Sequence, residues 1–251
     1  MSAASVNKVA KITILFWIMK IIATTLGETL GDFIAQTLGL GYSVGIAITL
    51  AFFAIVLAIQ FNAKKYVPLY FWLVIIATTT LGTEISDFMD RSLGLGYTWG
   101  SLILFSLLIL TMAGWYAKFK DLAVYPIVQS SKECFFWTAV LLSNSLGTAF
   151  GDYLSDAIGL SYLMGALVTA AIIGIVMLLH YFSKINQVVL FWIAFVFTRP
   201  FGATFGDFLT KPLASGGLDL GTLPASVVSV ILISILIIIS HNSPKQVNAK
   251  S

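Results

Sequence analysis

The chain has 251 residues, 59% of them hydrophobic and 10% charged, with a net charge of +3 and a mean hydropathy of +0.97. Soluble domains carry about 25% charged residues, so a water-soluble core is excluded and the chain reads as an integral membrane protein. A single cysteine, Cys134, excludes an intrachain disulfide, and the first apolar segment shares a motif with later ones, so it belongs to the mature fold.

Four repeats follow in order. In the first, an apolar stretch over roughly 12–36 holds Phe16-Trp17 and LGETLGD, which ends at Asp32; LGLGY leads to Tyr42 and a second stretch over roughly 43–61. The second has Phe71-Trp72, LGTEISD ending at Asp87, and LGLGY to Tyr97, with stretches over roughly 67–91 and 98–117. After a loop over 118–132 the third has Phe136-Trp137, LGTAFGD ending at Asp152, and IGLSY to Tyr162, with stretches over roughly 134–157 and 162–182. The fourth has Phe191-Trp192 and FGATFGD ending at Asp207, but its loop diverges into PLASGGLDLG; its stretches run over roughly 187–211 and 222–240.

Each Asp stands fifteen residues after its Trp, a frame that chance does not repeat four times. About 20 apolar residues cross a bilayer as a helix, and the longer first stretches are expected to tilt or break near their glycines. The fold class is therefore an all-α polytopic membrane protein of eight transmembrane helices, since unbroken runs exclude a barrel. Trp spacings of 55, 65 and 55 indicate a duplicated pair, 4+4 helices. Repeats of two helices cannot invert their successors, so all four run parallel about an axis along the membrane normal. The expected organisation is a tail at 1–11, repeats one and two at 12–117, a loop at 118–132, repeats three and four at 133–241, and a tail at 242–251.

Lysines gather before each Trp helix (Lys8, Lys11, Lys64, Lys65, Lys118, Lys120, Lys132, Lys184) and after the last helix (Lys245, Lys250), whereas the opposite ends carry Arg91 and Lys211. The positive-inside rule places both termini in the cytoplasm of a bacterial inner membrane, with the Gly-Asp motifs outward. The Phe-Trp pairs are expected as interfacial anchors.

Gly27 and Gly31, Gly82 and Ser86, Gly147 and Gly151, and Gly202 and Gly206 are small residues spaced four apart, which lets helix backbones approach closely in lipid. An Asp follows each pair, so the four carboxylates should share one depth and can converge on a common axis; the alternative is that they mark helix ends in the outer headgroup layer. Glu28 and Glu84 lie deeper, where an ionised group costs roughly 2.5–3.5 kcal/mol, and such residues default to function. The candidate ligands are Glu28, Asp32, Glu84, Asp87, Asp152, Asp156 and Asp207, supported by Thr24, Thr25, Asn144, Ser145 and Arg199. Arg91 and Lys211 should pair with Asp87 and Asp207 as i,i+4 partners, leaving Glu28, Asp32, Asp152 and Asp156 uncompensated. Arg199 should find a carboxylate, Pro200 should kink its helix, and Lys20 should snorkel. All these ligands are oxygen donors, and His180, His241 and Cys134 lie at the other end, so the donor set suits Mn, Mg, Ca, Na or protons and not zinc.

The FW–x14–D frame and the LG-[TE]-x-x-[GS]-D cores, over about 12–240, resemble a family of bacterial membrane-anchored proteins built from four tandem two-helix repeats, each with a Trp. The resemblance implies the architecture and no particular activity. The Gly-Asp cores are also similar, over a short stretch, to cation exporters with Gly-Asp motifs.

The function expected is secondary transport of a hard cation, foremost export of a divalent metal such as Mn, with protons as counter-ions. A transporter of a small organic solute and a non-transport membrane protein are the alternatives. Enzymatic activity is not expected, since the G-x-G-D of intramembrane aspartyl proteases is absent and no His accompanies the acids. The expected partners are the lipid bilayer and the transported cation, with no nucleic acid and no tightly bound cofactor; a homodimer stays open.

Overall fold

A computed structural model of the chain describes residues 7–242. The tails beyond them, with Lys245 and Lys250, lie outside the described residues. Among the described residues eight helices are long and apolar enough to cross a membrane: α1 (Ile14–Asp32), α2 (Gly41–Asn62), α3 (Pro68–Asp87), α4 (Gly96–Phe119), α5 (Ser130–Asp152), α6 (Tyr162–Phe182), α7 (Gln187–Thr210) and α8 (Thr222–Asn242). No strand occurs among the described residues. Helices α1, α3 and α5 each run on into one π-helical turn, at Phe33–Thr37, Phe88–Ser92 and Tyr153–Ala157. The glycine loops follow, and Gly39 and Gly41 take positive φ of 67° and 74° there, a conformation that L side chains rarely adopt.

Odd and even helices form two rings. In their most apolar windows 61–78% of residues in the odd helices are buried, against 17–28% in the even ones, which puts the odd helices inside. The inner helices pack in the closed order α1, α3, α5, α7 and back to α1. Each outer helix leaves its own repeat and lies on the inner helix of the next: α2 on α3, α4 on α5, α6 on α7, and α8 on α1. The repeats interlock as a result, and the last outer helix closes the circle on the first inner one.

Small residues set the inner spacing. A methyl group added at Gly31 would come within 3.0 Å of Thr83, at Gly82 within 3.0 Å of the Ser145 amide nitrogen, at Gly151 within 3.0 Å of Ala203, and at Gly206 within 3.0 Å of Glu28. At Gly27, Gly147 and Gly202 it would overlap Thr79, Arg199 and Thr24 outright. Thr79 and Thr83 donate across the same seam to the carbonyls of Ala23 and Gly27, both at 3.1 Å. In each repeat the glycine ten residues past the Trp meets the residue seven past the next Trp, so the inner helices run parallel and in register.

The Phe-Trp pairs do not anchor at an interface. Phe16, Phe71, Trp72, Phe136, Trp137, Phe191 and Trp192 are buried, because the outer ring stands between the inner helices and lipid. Phe16 lies 5.6 Å from Trp72, Phe71 5.4 Å from Trp137, and Phe191 5.6 Å from Trp17, so the aromatics interlock from repeat to repeat and floor the bundle at its terminal end. Beneath this floor Lys8 Nζ sits 3.1 Å from Glu133 and 2.8 Å from the Phe61 carbonyl, and Gln60 donates to the other Glu133 oxygen at 3.1 Å. This buried clip ties the N-terminal segment to the ends of α2 and α5.

Candidate functional site

The parallel inner ring brings the four Asp residues of the repeat frame to one level at the motif end, each at most 5% exposed. Two cations bridge them. Arg91 pairs with its own Asp87 at 3.3 Å and with Asp152 of the next repeat at 3.1 Å. Lys211 pairs with its own Asp207 at 3.3 Å and, across the closing seam, with Asp32 at 2.6 Å. The i,i+4 pairs therefore form, but Asp32 and Asp152 are not left uncompensated as the linear sequence suggested. Each cation sits where its helix meets the next one around the ring, a proximity the chain order hides.

The two cations are held differently. Arg91 lies in a π-helical turn and donates to the hydroxyls of Tyr42 at 2.9 Å and Tyr97 at 3.4 Å, and Tyr97 in turn donates to Asp156 at 2.7 Å. Asp156 is exposed at the rim, outside the carboxylate cluster, and it too is compensated against expectation, 4.0 Å from Arg91. Lys211 follows the end of α7 on extended backbone. Burial lowers the affinity of its amine for a proton, but Asp207 and then Asp32 outweigh that and hold it above its ordinary pKa. Gln36 donates to the second oxygen of Asp32 at 2.5 Å.

One level deeper, Arg199 is fully buried and donates to Glu28 at 2.8 Å, to the Thr83 hydroxyl at 2.5 Å and to the Thr24 carbonyl at 3.4 Å. Glu28 is thus compensated as well, by the fourth repeat. The Lys20 ammonium comes next along the axis. It does not snorkel: it is fully buried, donates to Asn144 Oδ1 at 2.9 Å and lies 4.1 Å over the Phe195 ring. Asn144 donates onward to Thr78 at 3.1 Å.

Other expected residues leave the axis. Glu84 points toward Gly45 of α2; it is 1% exposed, and neither carboxylate oxygen has a hydrogen-bond partner. Thr25 is buried with its hydroxyl unpartnered, and Ser145 turns its hydroxyl onto the Leu141 carbonyl. Asp90, which the sequence did not single out, is buried against Gly100 of α4 with one oxygen unpartnered.

Carboxylate oxygens of Glu28, Asp32 and Asp207 lie within 4.8 Å of one another, the one such group among the described residues. Around the axis, five buried carboxylates (Glu28, Asp32, Asp87, Asp152, Asp207) face four cations (Arg91, Arg199, Lys211 and, deeper, Lys20), so one negative charge is unmatched. A buried surplus of this kind calls for protons or a bound cation.

The profile of the repeat of unknown function DUF347 matches residues 15–66, 70–120, 135–186 and 190–245. The chain belongs to the DUF347 repeat family. Each DUF347 match opens at the Phe-Trp pair and closes after an outer helix, so the family unit is one inner helix, its motif and the outer helix handed to the next repeat. No curated protein and no solved structure matches the chain, and the likeness of its Gly-Asp cores to cation exporters has no counterpart among these findings.

The sequence did not reveal the buried partners of Lys20, the tyrosine support of Arg91 or the Lys8–Glu133 clip. A signal existed for two of them. Tyr42 and Tyr97 recur at one place in the repeat frame, and Glu133 is an acid four residues before a Trp where the other repeats have Thr13, Pro68 and Val188.

Proposed function

We propose that this DUF347 protein is a secondary transporter of a hard cation of the Mn, Mg or Ca class, exchanged for protons, and not an enzyme. The supporting observation is the cluster of Glu28, Asp32 and Asp207, three buried carboxylates from two repeats with oxygens within 4.8 Å of one another. Carboxylate oxygen is the donor that hard cations prefer, and a carboxylate released from a cation takes up a proton. The cation is cargo, and Asp87, Asp152 and Arg91 form the matching half of the ring. The lysines before each inner helix favour a cytoplasmic terminal end in a bacterial inner membrane, with the carboxylates opening outward. The test is uptake of radioactive manganese by vesicles holding purified protein. Asp32→Asn should abolish uptake while the protein stays inserted and monodisperse, and unchanged uptake would overturn the reading.

A second reading, a carrier of small organic cations, is favoured by one observation: the group seated on Asp32 and Asp207 is an ammonium, that of Lys211. A primary amine presents the same three donors. Competition of methylammonium with manganese uptake separates the two.

A further inference from the structure

The Glu28–Asp32–Asp207 cluster is already filled at its mouth. Lys211 Nζ lies 2.6 Å from Asp32 and 3.3 Å from Asp207, and its side chain is 23% exposed where theirs are 3% and 8%. It therefore caps the cluster toward the motif end. One observation points to a ligand there. Asp207 Oδ1 is buried and accepts no hydrogen bond, although the ammonium stands close enough to pair electrostatically.

The bridging cations differ in how firmly they are fixed. Arg91 is clamped by three carboxylates and two tyrosine hydroxyls within a helical turn. The ammonium of Lys211 is held by carboxylates alone, on a four-carbon stem. Its backbone, by contrast, is pinned. The Lys211 carbonyl accepts from Asp219 at 3.0 Å, and Leu218 and Leu220 donate to Phe208 at 2.7 Å and Leu209 at 3.0 Å. The loop that replaces LGLGY in the fourth repeat thus fixes the root of Lys211 and leaves its tip to move.

We propose that Lys211 is a tethered cation: it occupies the substrate position in the empty carrier and swings out toward the motif end when the transported cation enters. This rests on the transport reading above. It gives the fourth repeat's divergence a purpose, since an empty cluster of three carboxylates would otherwise carry its unmatched charge through each return step.

The test needs no flux. Purified full-length protein is treated with a water-soluble carbodiimide, which condenses a paired amine and carboxylate into an amide with loss of water, and the product is read by peptide mass spectrometry. A link from Lys211 to Asp32 or Asp207 is expected in metal-free buffer, with a yield roughly tenfold lower when Mn2+ saturates the protein. Mg2+ and methylammonium are run beside it. No link in metal-free buffer overturns the proposal. If vesicles carry a cation that leaves the yield unchanged, the tethered-cation proposal falls and the transport reading stands; if no cation is carried and none lowers the yield, both fall. Lys211→Met provides the second arm. It should bind Mn2+ roughly tenfold more tightly and exchange it more slowly, because a competitor has been removed. Weaker binding by a folded Lys211→Met protein overturns the proposal, since Lys211 would then be a structural partner of the acids.

Discussion

Replacing Arg199 by Met strips Glu28 of the cation 2.8 Å away and leaves a carboxylate at 3% exposure in the middle of the inner ring. Breaking a buried pair by removing one partner costs about 3–5 kcal/mol, because the remaining charge stays desolvated. Two features place this case near the lower figure. The Lys20 ammonium lies next along the same axis, so the loss of Arg199 removes one like charge from its surroundings. Thr83, which accepts from Arg199, keeps its own bonds to the carbonyls of Gly27 and Thr79. A loss of about 3 kcal/mol corresponds to a fall in melting temperature of roughly 6–12 °C for a chain of this size. Thermal unfolding in detergent, followed by tryptophan fluorescence, reads it directly. The decisive variant is the double one. Arg199→Met with Glu28→Gln removes both charges and should recover more than half of the loss, a coupling of at least about 1.5 kcal/mol. A coupling below about 0.5 kcal/mol would mean that packing of the long Arg199 side chain, and not charge compensation, holds this level of the bundle, and the electrostatic account of the axis would fail.

Two further substitutions probe the frame around that axis. Gly202→Val should cost at least about 2 kcal/mol, because its Cβ would overlap the side chain of Thr24 and lie 2.8 Å from the Thr24 carbonyl carbon, neither of which can retreat; Gly39→Ala meets nothing within 4 Å and should cost only the left-handed penalty of about 1–2 kcal/mol. The comparison is made by melting temperature, and equal losses would contradict the seam packing. Glu133→Gln should lower stability by about 2–3 kcal/mol and make the segment around Lys8 a protease site, since Lys8 loses its buried counter-ion while Gln60 loses a charged acceptor; cleavage unchanged from the parent would show that the clip does not hold the segment.

The parts of the fold visible in the sequence are those set by local spacing. Helix positions followed from the apolar runs, and the Trp-to-Asp frame placed the inner carboxylates at one level, because a parallel repeat puts equivalent residues at equal depth. What stayed hidden depends on which helix lies beside which. Lys211 is 179 residues from Asp32, and Arg199 is 171 from Glu28, and only closure of α7 onto α1 makes them neighbours. The Phe-Trp pairs were misplaced for a related reason. An aromatic near the end of an apolar run suits an interfacial belt and a buried floor equally well, and the choice rests on whether another helix stands outside it. The even helices, more apolar and less interrupted by small residues, take the lipid-facing role and settle the matter for these repeats.

The order of charges along the axis limits how a carrier of the proposed kind can work. From the motif end inward come the Asp ring with its two bridging cations, then the Glu28–Arg199 pair, then the Lys20 ammonium, then the phenyl rings of Phe16, Phe71, Phe136 and Phe191. A cation drawn to the ring meets two fixed positive charges beyond it. At the effective dielectric of a protein near its surface, a like charge at about 4 Å costs about 4 kcal/mol, and desolvation adds to that. A straight passage is therefore closed twice, by charge and by rings in contact. Cargo bound at Glu28, Asp32 and Asp207 can go further only if the seam that holds them opens. That seam joins α1 to α7 and is the one in the inner ring that chain connectivity does not order, because it pairs the first repeat with the last. It also carries the cluster, the Arg199 bonds, Lys211 and the close approaches of Gly202 and Gly206. The elements that would bind the cation, and those that would have to separate to release it, are the same two helices, so binding at this site bears directly on whether the ring is closed.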